Sequence, residues 1–111
     1  MEKIIIDKLE VIHDICRRHH VARLWVFGSA ATGVGLDGNP FGPESDVDLI
    51  VRFKKEVYRN DHAGYCDNWD ELHKELEIAL DHRVDLVPVT SLTRAQFITN
   101  VKHQKQDLYV A

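Results

Sequence analysis

The chain has 111 residues, a length typical of one domain, and 44% of them are hydrophobic while 29% are charged. Its net charge of −4 argues against a protein that holds nucleic acid through excess positive charge, so no direct nucleic-acid binding is expected. With two cysteines, no signal-peptide pattern and no apolar run of membrane-spanning length, we expect a single cytoplasmic domain over 1–111 without a membrane partner.

The first half of the chain predicts a helix and two strands. Apolar residues recur at helical spacing near the N-terminus: Ile5, Leu9, Ile12 and Cys16. This spacing predicts a helix over 3–19. Apolar runs predict strands at 22–27 and 46–53. Residues 28–45 contain five glycines and two prolines, which favours a loop, with a short helix after Ser29.

The second half predicts two further helices and a third strand. Residues 54–66 show no clear pattern, and Asp67 or Asn68 with Glu71 predicts the start of the next helix. Its apolar face holds Trp69, Leu72, Leu76, Ala79 and Leu80. A strand follows at 83–89, where Pro88 disfavours a fully paired central position, and a last helix is expected at about 92–104. The order predicts an α/β (α+β) fold with a small mixed sheet of three or more strands and helices mainly on one face.

Two aspartates stand one residue apart at the start of the second predicted strand. Residues i and i+2 of a strand point to the same face, so Asp46 and Asp48 are expected to project together. Two carboxylates this close repel, and a shared Mg²⁺ relieves the repulsion. The alternative is a solvated strand end that carries two acidic residues.

A third carboxylate lies within an apolar run. Asp85 stands in the sequence VDLV, where a charged residue is unusual in a buried strand. If this strand lies beside 46–53, Asp85 reaches the same end of the sheet, and three carboxylates there could hold two divalent ions for nucleotidyl or phosphoryl transfer. The alternative is that Asp85 faces water at an edge of the sheet.

The loop after the first strand suggests a place for phosphate. Gly28 permits a sharp turn and close approach of a ligand, and Ser29 adds a hydroxyl. A helix opening here would favour phosphate at its N-terminus. The stretch GVGLDG at 33–38 has the spelling of a dinucleotide-binding motif. The next predicted strand starts only eight positions after Gly38, which leaves no room for the crossover helix that such a motif requires.

Together these motifs resemble the minimal nucleotidyltransferase (MNT) domain of the polymerase-β-like superfamily. The matching residues are Gly28-Ser29, Ser45-Asp46-Val47-Asp48-Leu49 and Val84-Asp85-Leu86-Val87, and the resemblance extends over nearly the whole chain. It implies the polymerase-β-like fold and a catalytic and metal site of Asp46, Asp48 and Asp85 for two Mg²⁺, with ATP as substrate. Small members are often antitoxins of HEPN-domain toxins and resemble enzymes that move AMP from ATP onto a tyrosine of that partner.

The chain departs from this family in two places. Sixteen residues, 30–45, separate Gly28-Ser29 from Asp46, which is wider than usual and fits an insertion at 33–43 beside the nucleotide. The arginine that many members carry after Gly-Ser is absent, since the sequence continues Ala30-Ala31-Thr32. Thr32 is expected to donate one hydrogen bond to the nucleotide without supplying that charge.

Several other residues have simpler interpretations. Neither Cys16 with His19 and His20 nor His62 with Cys66 has the usual zinc-ligand spacing; Cys16 is expected in the core and the histidine pair at a solvated helix end. The basic residues Arg52, Lys54 and Lys55 are expected at a solvated strand end, with steering of ATP or an acidic partner as the alternative. Both tryptophans, Trp25 and Trp69, are expected in the core, with stacking on a base as the alternative.

Three functions fit this pattern. The first is transfer of AMP onto a hydroxyl of a partner protein, with Asp85 orienting or deprotonating that hydroxyl. The second is a catalytically weak or inactive module that neutralises its partner by docking. The third is transfer to a small molecule, which the short chain makes less favourable. The sequence is compatible both with a monomer and with an oligomer of this chain.

Overall fold

The structure is a computed structural model, and it describes residues 1–34, 38–59, 61–92 and 105–111. Within these ranges the helices are α1 (Lys3–Ile6), α2 (Leu9–Arg18), α3 (Ser29–Thr32), α4 (Lys55–Tyr58) and α5 (His62–Leu80), and the strands are β1 (Val21–Phe27), β2 (Val47–Phe53), β3 (Val84–Pro88) and β4 (Gln106–Val110). None of the helices in these ranges has both the length and the apolar character needed to span a membrane.

The four strands form one mixed sheet in the order β3-β2-β1-β4. Strand β1 is antiparallel to both β2 and β4, while β2 and β3 are parallel because α5 returns the chain between them. This confirms the predicted fold class. Pro88 ends β3, an outer strand of the described sheet, as its missing N–H requires. Strand β4 was not predicted as a strand.

The two faces of the sheet differ in what covers them. Alternate residues of β1 and β2, among them Leu24 and Leu49, pack with the apolar faces of α2 and α5 in the main core. We call this the helical face. The opposite face, which we call the open face, carries Trp25 and Ile50, with Phe27, Val89 and Leu92 packed around them. Asp48 precedes Ile50 by two residues and therefore lies on the open face.

The predicted first helix is two helices. A tight turn at Asp7–Lys8 separates α1 from α2, and there the Lys8 N–H bonds to the Ile5 carbonyl three residues earlier, at 3.0 Å. Ile5, Ile12 and Cys16 are all fully buried, so the core role predicted for this apolar face is confirmed.

The predicted start of the long helix was wrong. Helix α5 begins at His62, where the Asp61 side chain accepts a hydrogen bond of 2.8 Å from the Gly64 N–H. Asn68 instead lies inside the helix, and its side-chain amide donates to the His19 carbonyl at 3.0 Å. The same packing buries His19 to 6% exposure, which corrects the expected solvated helix end; His20 is exposed as expected.

The predicted last helix lies almost entirely outside the described residues. Phe97 and Val101 fall there, whereas Leu92 packs beside Trp25 on the open face. Residues Val89–Ser91 form a short 3-10 turn, in which the Ser91 hydroxyl donates to the Pro88 carbonyl at 2.8 Å.

Candidate active site

Three carboxylates meet at one end of the open face. The parallel register of β2 and β3 places Asp48 directly beside Asp85. Asp46 comes just before β2, two residues from Asp48, and it lies on the same face. The sheet thus brings together the three aspartates that the sequence predicted, with Asp48 half-buried and the other two exposed. The exposure of Asp85 agrees with the alternative that it faces water, yet its register keeps it at the candidate site.

The closeness of these charges changes the acidity of the central one. Burial, together with the negative charges of Asp85 and Asp46, raises the pKa of the Asp48 carboxyl from 3.8 to about 6. Perturbed carboxyl groups of this kind cluster at functional sites. A cation bound at this end of the sheet would relieve the repulsion.

One of the three carboxylates already has a cationic partner. Arg83, the residue before β3, donates from Nε to Asp46 Oδ1 at 3.0 Å. Both side chains are exposed, by 81% for Arg83 and 44% for Asp46. The sequence analysis did not single out Arg83, although the rule that paired Asp46 with Asp48 also places Arg83 on the face of Asp85.

Gly28 brings the backbone against Asp48. Its φ of +68° lies in the region that L side chains rarely adopt. A Cβ built on Gly28 would lie 2.8 Å from Asp48 Oδ2, which is closer than real Cβ contacts come. The turn after β1 therefore requires glycine both for its conformation and for the space beside the carboxylate.

The short helix after Gly28 is present but small. Helix α3 has four residues, and the N–H groups of Ala31 and Thr32 both return to the Gly28 carbonyl at 3.1 Å. A single turn contributes little macrodipole, so the expected helix-dipole attraction for phosphate is weak here. Ser29 is half-buried, and its hydroxyl makes no hydrogen bond to any residue in the described ranges.

The Thr32 hydroxyl forms a hydrogen bond within its own loop. Its Oγ1 donates to the Val34 carbonyl at 2.7 Å, with the Gly28 carbonyl 3.2 Å away. A hydroxyl has one proton to donate, so a bond from Thr32 to a nucleotide requires this contact to break. Nucleotide binding by Thr32 stays a prediction.

The described parts of the loop between α3 and β2 are anchored at its base. The Phe41 N–H bonds to the Gly33 carbonyl at 3.0 Å, and the Phe41 ring lies 5.3 Å from the ring of His82. His82 Nδ1 in turn donates to the Ser45 carbonyl at 2.9 Å. Phe41 and His82 therefore connect the loop to the residue immediately before Asp46.

The donor set suits a hard cation, although it does not form a closed metal cage. In the described residues no three histidine, cysteine, aspartate or glutamate side chains are arranged to hold a metal ion by themselves. Asp46 is turned toward Arg83, which accounts for part of this. Mg²⁺ needs only one or two carboxylates when substrate phosphates complete its shell, so the oxygen ligands of Asp46 and Asp48 fit it.

The remaining candidate residues lie away from the carboxylates or in the core. Cys16 is fully buried, and burial raises the pKa of its thiol to about 12. His62 Nε2 lies 3.5 Å from Cys66 Sγ on α5. Trp69 packs at the margin of the main core.

Trp25 is buried on the open face, where the Arg52 guanidinium lies 5.9 Å from its ring. Lys54 and Lys55 lie at the far end of β2 and are exposed.

Comparison with solved structures supports the fold assignment. A structure described as a minimal nucleotidyltransferase is 28% identical to this chain, with a TM-score of 0.65, and the alignment covers 91% of this chain and 89% of that one. A toxin–antitoxin complex with AMP-PNP gives 24% identity and a TM-score of 0.62 over 93% of this chain and 73% of that one. A structure of a tri-AMPylated Shewanella oneidensis HEPN toxin in complex with MNT antitoxin gives 21% identity and a TM-score of 0.60. That alignment covers 96% of this chain and 73% of the other.

The sequence itself also matches a family. No curated protein gives a significant match to this chain. The sequence model of the nucleotidyltransferase domain matches residues 9–108, a range that contains every candidate site residue described above. With its mixed sheet and three carboxylates beside a Gly-Ser turn, the chain belongs to the nucleotidyltransferase domain family.

Proposed function

We propose that this chain is a Mg²⁺-dependent enzyme that moves AMP from ATP onto a hydroxyl of a HEPN-domain partner protein, for which it is the antitoxin. The observation that carries the proposal is the register that sets Asp48 beside Asp85, next to the close approach of Gly28. A sheet end with a purely structural role gains no stability from clustered carboxylates, and here burial and the charges of Asp85 and Asp46 raise the pKa of Asp48.

Each residue has a separate task. Asp46 and Asp48 would hold Mg²⁺, which when bound neutralises phosphate charge and makes the α-phosphorus more electrophilic. Gly28, which lacks a Cβ, lets the turn after β1 approach Asp48 closely, and the Ser29 hydroxyl of that turn would donate to a phosphate oxygen of the nucleotide. Asp85, the exposed carboxylate, is accessible to a hydroxyl that approaches from the partner.

The reaction exchanges the phosphoanhydride bond between the α- and β-phosphates of ATP for a phosphoester bond to the partner. The acceptor oxygen bonds to the α-phosphorus while the bond from that phosphorus to the bridging oxygen of the β-phosphate breaks. The hydroxyl proton passes to the Asp85 carboxylate, and pyrophosphate leaves. Most of the acceleration comes from positioning and from charge neutralisation at preorganised groups.

The partner is proposed from structural neighbours. Solved structures with this fold include an MNT antitoxin in complex with a tri-AMPylated HEPN toxin. Asp85 is exposed, so a partner protein can bring its hydroxyl to this carboxylate. The cytoplasm, where ATP and Mg²⁺ are abundant, is the proposed location.

The test is transfer of label from ATP to the partner. The chain and its proposed HEPN-domain partner are incubated with Mg²⁺ and ATP labelled at the α-phosphate. We expect label on the partner with the wild-type chain and with Asp67→Asn, a matched change at an exposed carboxylate on α5. We expect none with Asp48→Asn. Equal labelling by Asp48→Asn would overturn the assignment.

A second candidate is neutralisation by docking alone. The feature that favours it is the stretch Ala30-Ala31-Thr32, which provides no cation and whose threonine hydroxyl is engaged by the Val34 carbonyl. In that case Asp48→Asn would still relieve toxicity of the partner, and wild type would transfer no label. The two readouts together separate the candidates.

A further inference from the structure

Arg83 shares the open face with the three carboxylates. The register pairs Val47 with Val84, and the Val47 N–H donates to the Arg83 carbonyl at 2.9 Å, so Arg83 lies beside Asp46. It precedes Asp85 by two residues and therefore projects to the same face. Four charged side chains therefore form a grid, which we call the charged grid. It consists of Asp48 in β2 with Asp46 just before it, and Asp85 in β3 with Arg83 just before it.

Only part of the Arg83 guanidinium is used within this grid. Its Nε donates to Asp46 Oδ1 at 3.0 Å, and in the described part of the chain this is its only side-chain hydrogen bond. Both Nη groups remain available on a side chain that is 81% exposed. An exposed ion pair of this kind is weak, so a divalent ion that arrives with phosphates can take Asp46 from Arg83.

We propose that Arg83 is the cation that binds the triphosphate of the nucleotide, and that it exchanges Asp46 for phosphate when a divalent ion occupies Asp46. This inference rests on the proposed function, because it needs a nucleoside triphosphate at the site. The guanidinium matches a phosphate in geometry and charge, and the exchange leaves both Arg83 and Asp46 with a partner of opposite charge before and after binding. Arg83 thereby replaces the cation that the stretch after Ser29 does not supply.

The arginine of β2, Arg52, is poorly placed for this role. Arg52 lies four residues beyond Asp48, which is about 13 Å along an extended strand. Its guanidinium is also within 5.9 Å of the Trp25 ring. Arg83, by contrast, already contacts the carboxylate that a divalent ion would bind.

Two titrations test the exchange. Free Mn²⁺ is measured by electron paramagnetic resonance as it is added to the protein alone, and binding of α,β-methylene-ATP with Mg²⁺ is measured by calorimetry. The variant is Arg83→Gln. Its control is Arg59→Gln, which removes the same charge at an exposed position beyond the far end of β2. Thermal unfolding of both variants checks that the fold is kept.

The exchange predicts effects of opposite sign. We expect Arg83→Gln to bind Mn²⁺ about threefold more tightly, because the competing cation is gone. We expect it to bind the nucleotide about tenfold more weakly, because a charge-assisted pair with phosphate is lost. A loss of folding would weaken the binding of both Mn²⁺ and the nucleotide, so it cannot produce this pattern.

The outcomes also separate this inference from the proposed function. If wild type binds the nucleotide and labels its partner while Arg83→Gln matches Arg59→Gln in either titration, the role of Arg83 is wrong and the function stands. If wild type binds Mn²⁺ but no nucleotide, the proposed function and the role of Arg83 both fail.

Discussion

Gly28 and Asp48 are fitted to each other so closely that a Cβ on Gly28 would lie 2.8 Å from Asp48 Oδ2. Gly28 directly follows β1, whose last residue, Phe27, pairs with Asp48 of β2. The Gly-Ser turn and the Asp-x-Asp pair, eighteen residues apart in the printed sequence, are therefore two sides of one site.

Gly28→Ala should disable this site and weaken the fold. The substitution combines a strained backbone conformation with a collision against a carboxylate, and we expect a loss of about 3 kcal/mol in the free energy of unfolding. Gly38→Ala is the matched control, because Gly38 has a φ of +82° and nothing within 4 Å of a built Cβ. It should cost about 1 kcal/mol and leave nucleotide binding unchanged. Equal effects of the two changes in urea unfolding and nucleotide titration would refute the close fit.

Asp48→Asn should stabilise the protein at neutral pH when no divalent ion is present. The folded state raises the pKa of Asp48 from 3.8 to about 6, so it binds this proton more tightly than the unfolded chain does. Stability from this group is full below pH 3.8 and is lost as the pH rises through 6.

The measurement is urea unfolding between pH 4 and 8. Because the carboxyl is half-exposed, we expect a gain of only about 1 kcal/mol for Asp48→Asn at pH 7. The gain should shrink toward pH 4, and Asp67→Asn should show neither effect. A destabilised Asp48→Asn at pH 7 would mean that the repulsion is absent.

The site was largely predictable because it follows from two local rules. Alternation along a strand placed Asp46 with Asp48, and the unusual charge in VDLV marked Asp85. Only the register of β2 against β3, a long-range property, could show that Asp48 and Asp85 are direct neighbours. Arg83 was missed because an arginine at the edge of a strand is common, and its meaning depends on Asp46 across the strand pair.

Elements with a strong apolar periodicity in the sequence were predicted correctly, whereas an element that depends on long-range strand pairing was missed. The three apolar strands were found within one residue at each end. Strand β4 was missed because its residues QDLYV are polar at the start and pair with β1 only after the chain has passed the rest of the domain. The start of α5 was misplaced because Asp61, Asp67 and Asn68 all suit a cap, and packing of Asn68 against His19 decided between them.

Glu75→Gln should destabilise the fold without affecting nucleotide binding. Glu75 accepts from Arg18 Nη1 at 2.7 Å and also contacts His19 Nε2, which joins α2 to α5 on the helical face. The hydrogen bond from Arg18 and the contact with His19 lower the pKa of Glu75, so its contribution is present above pH 4.5 and is lost as the pH falls further.

For this variant we expect a loss of about 1–2 kcal/mol at pH 7 and a smaller loss at pH 3. Glu71→Gln, an exposed change one turn earlier in α5, is the control and should have little effect. Altered affinity for the nucleotide in Glu75→Gln would contradict the separation of the two faces.

The contact between Phe41 and His82 should couple the loop between α3 and β2 to the site. Their rings are 5.3 Å apart, and His82 also holds the Ser45 carbonyl. A double-mutant cycle of Phe41→Ala and His82→Ala in urea should give a coupling of about 0.5–1.5 kcal/mol. Each single variant should also bind the nucleotide more weakly because the residue before Asp46 loses support. Additive stability effects would show that the two rings do not act together.

The most direct measurement is the yield of pyrophosphate against the mass gained by the partner. Wild-type chain, Asp67→Asn and Asp48→Asn are each incubated with the HEPN-domain protein, ATP and Mg²⁺, and intact mass and pyrophosphate are recorded together. We predict that wild type and Asp67→Asn release one pyrophosphate for each adenylate added to the partner, and that Asp48→Asn does neither. A partner of unchanged mass with wild type, in a complex that still forms, would contradict transfer and leave docking as the function.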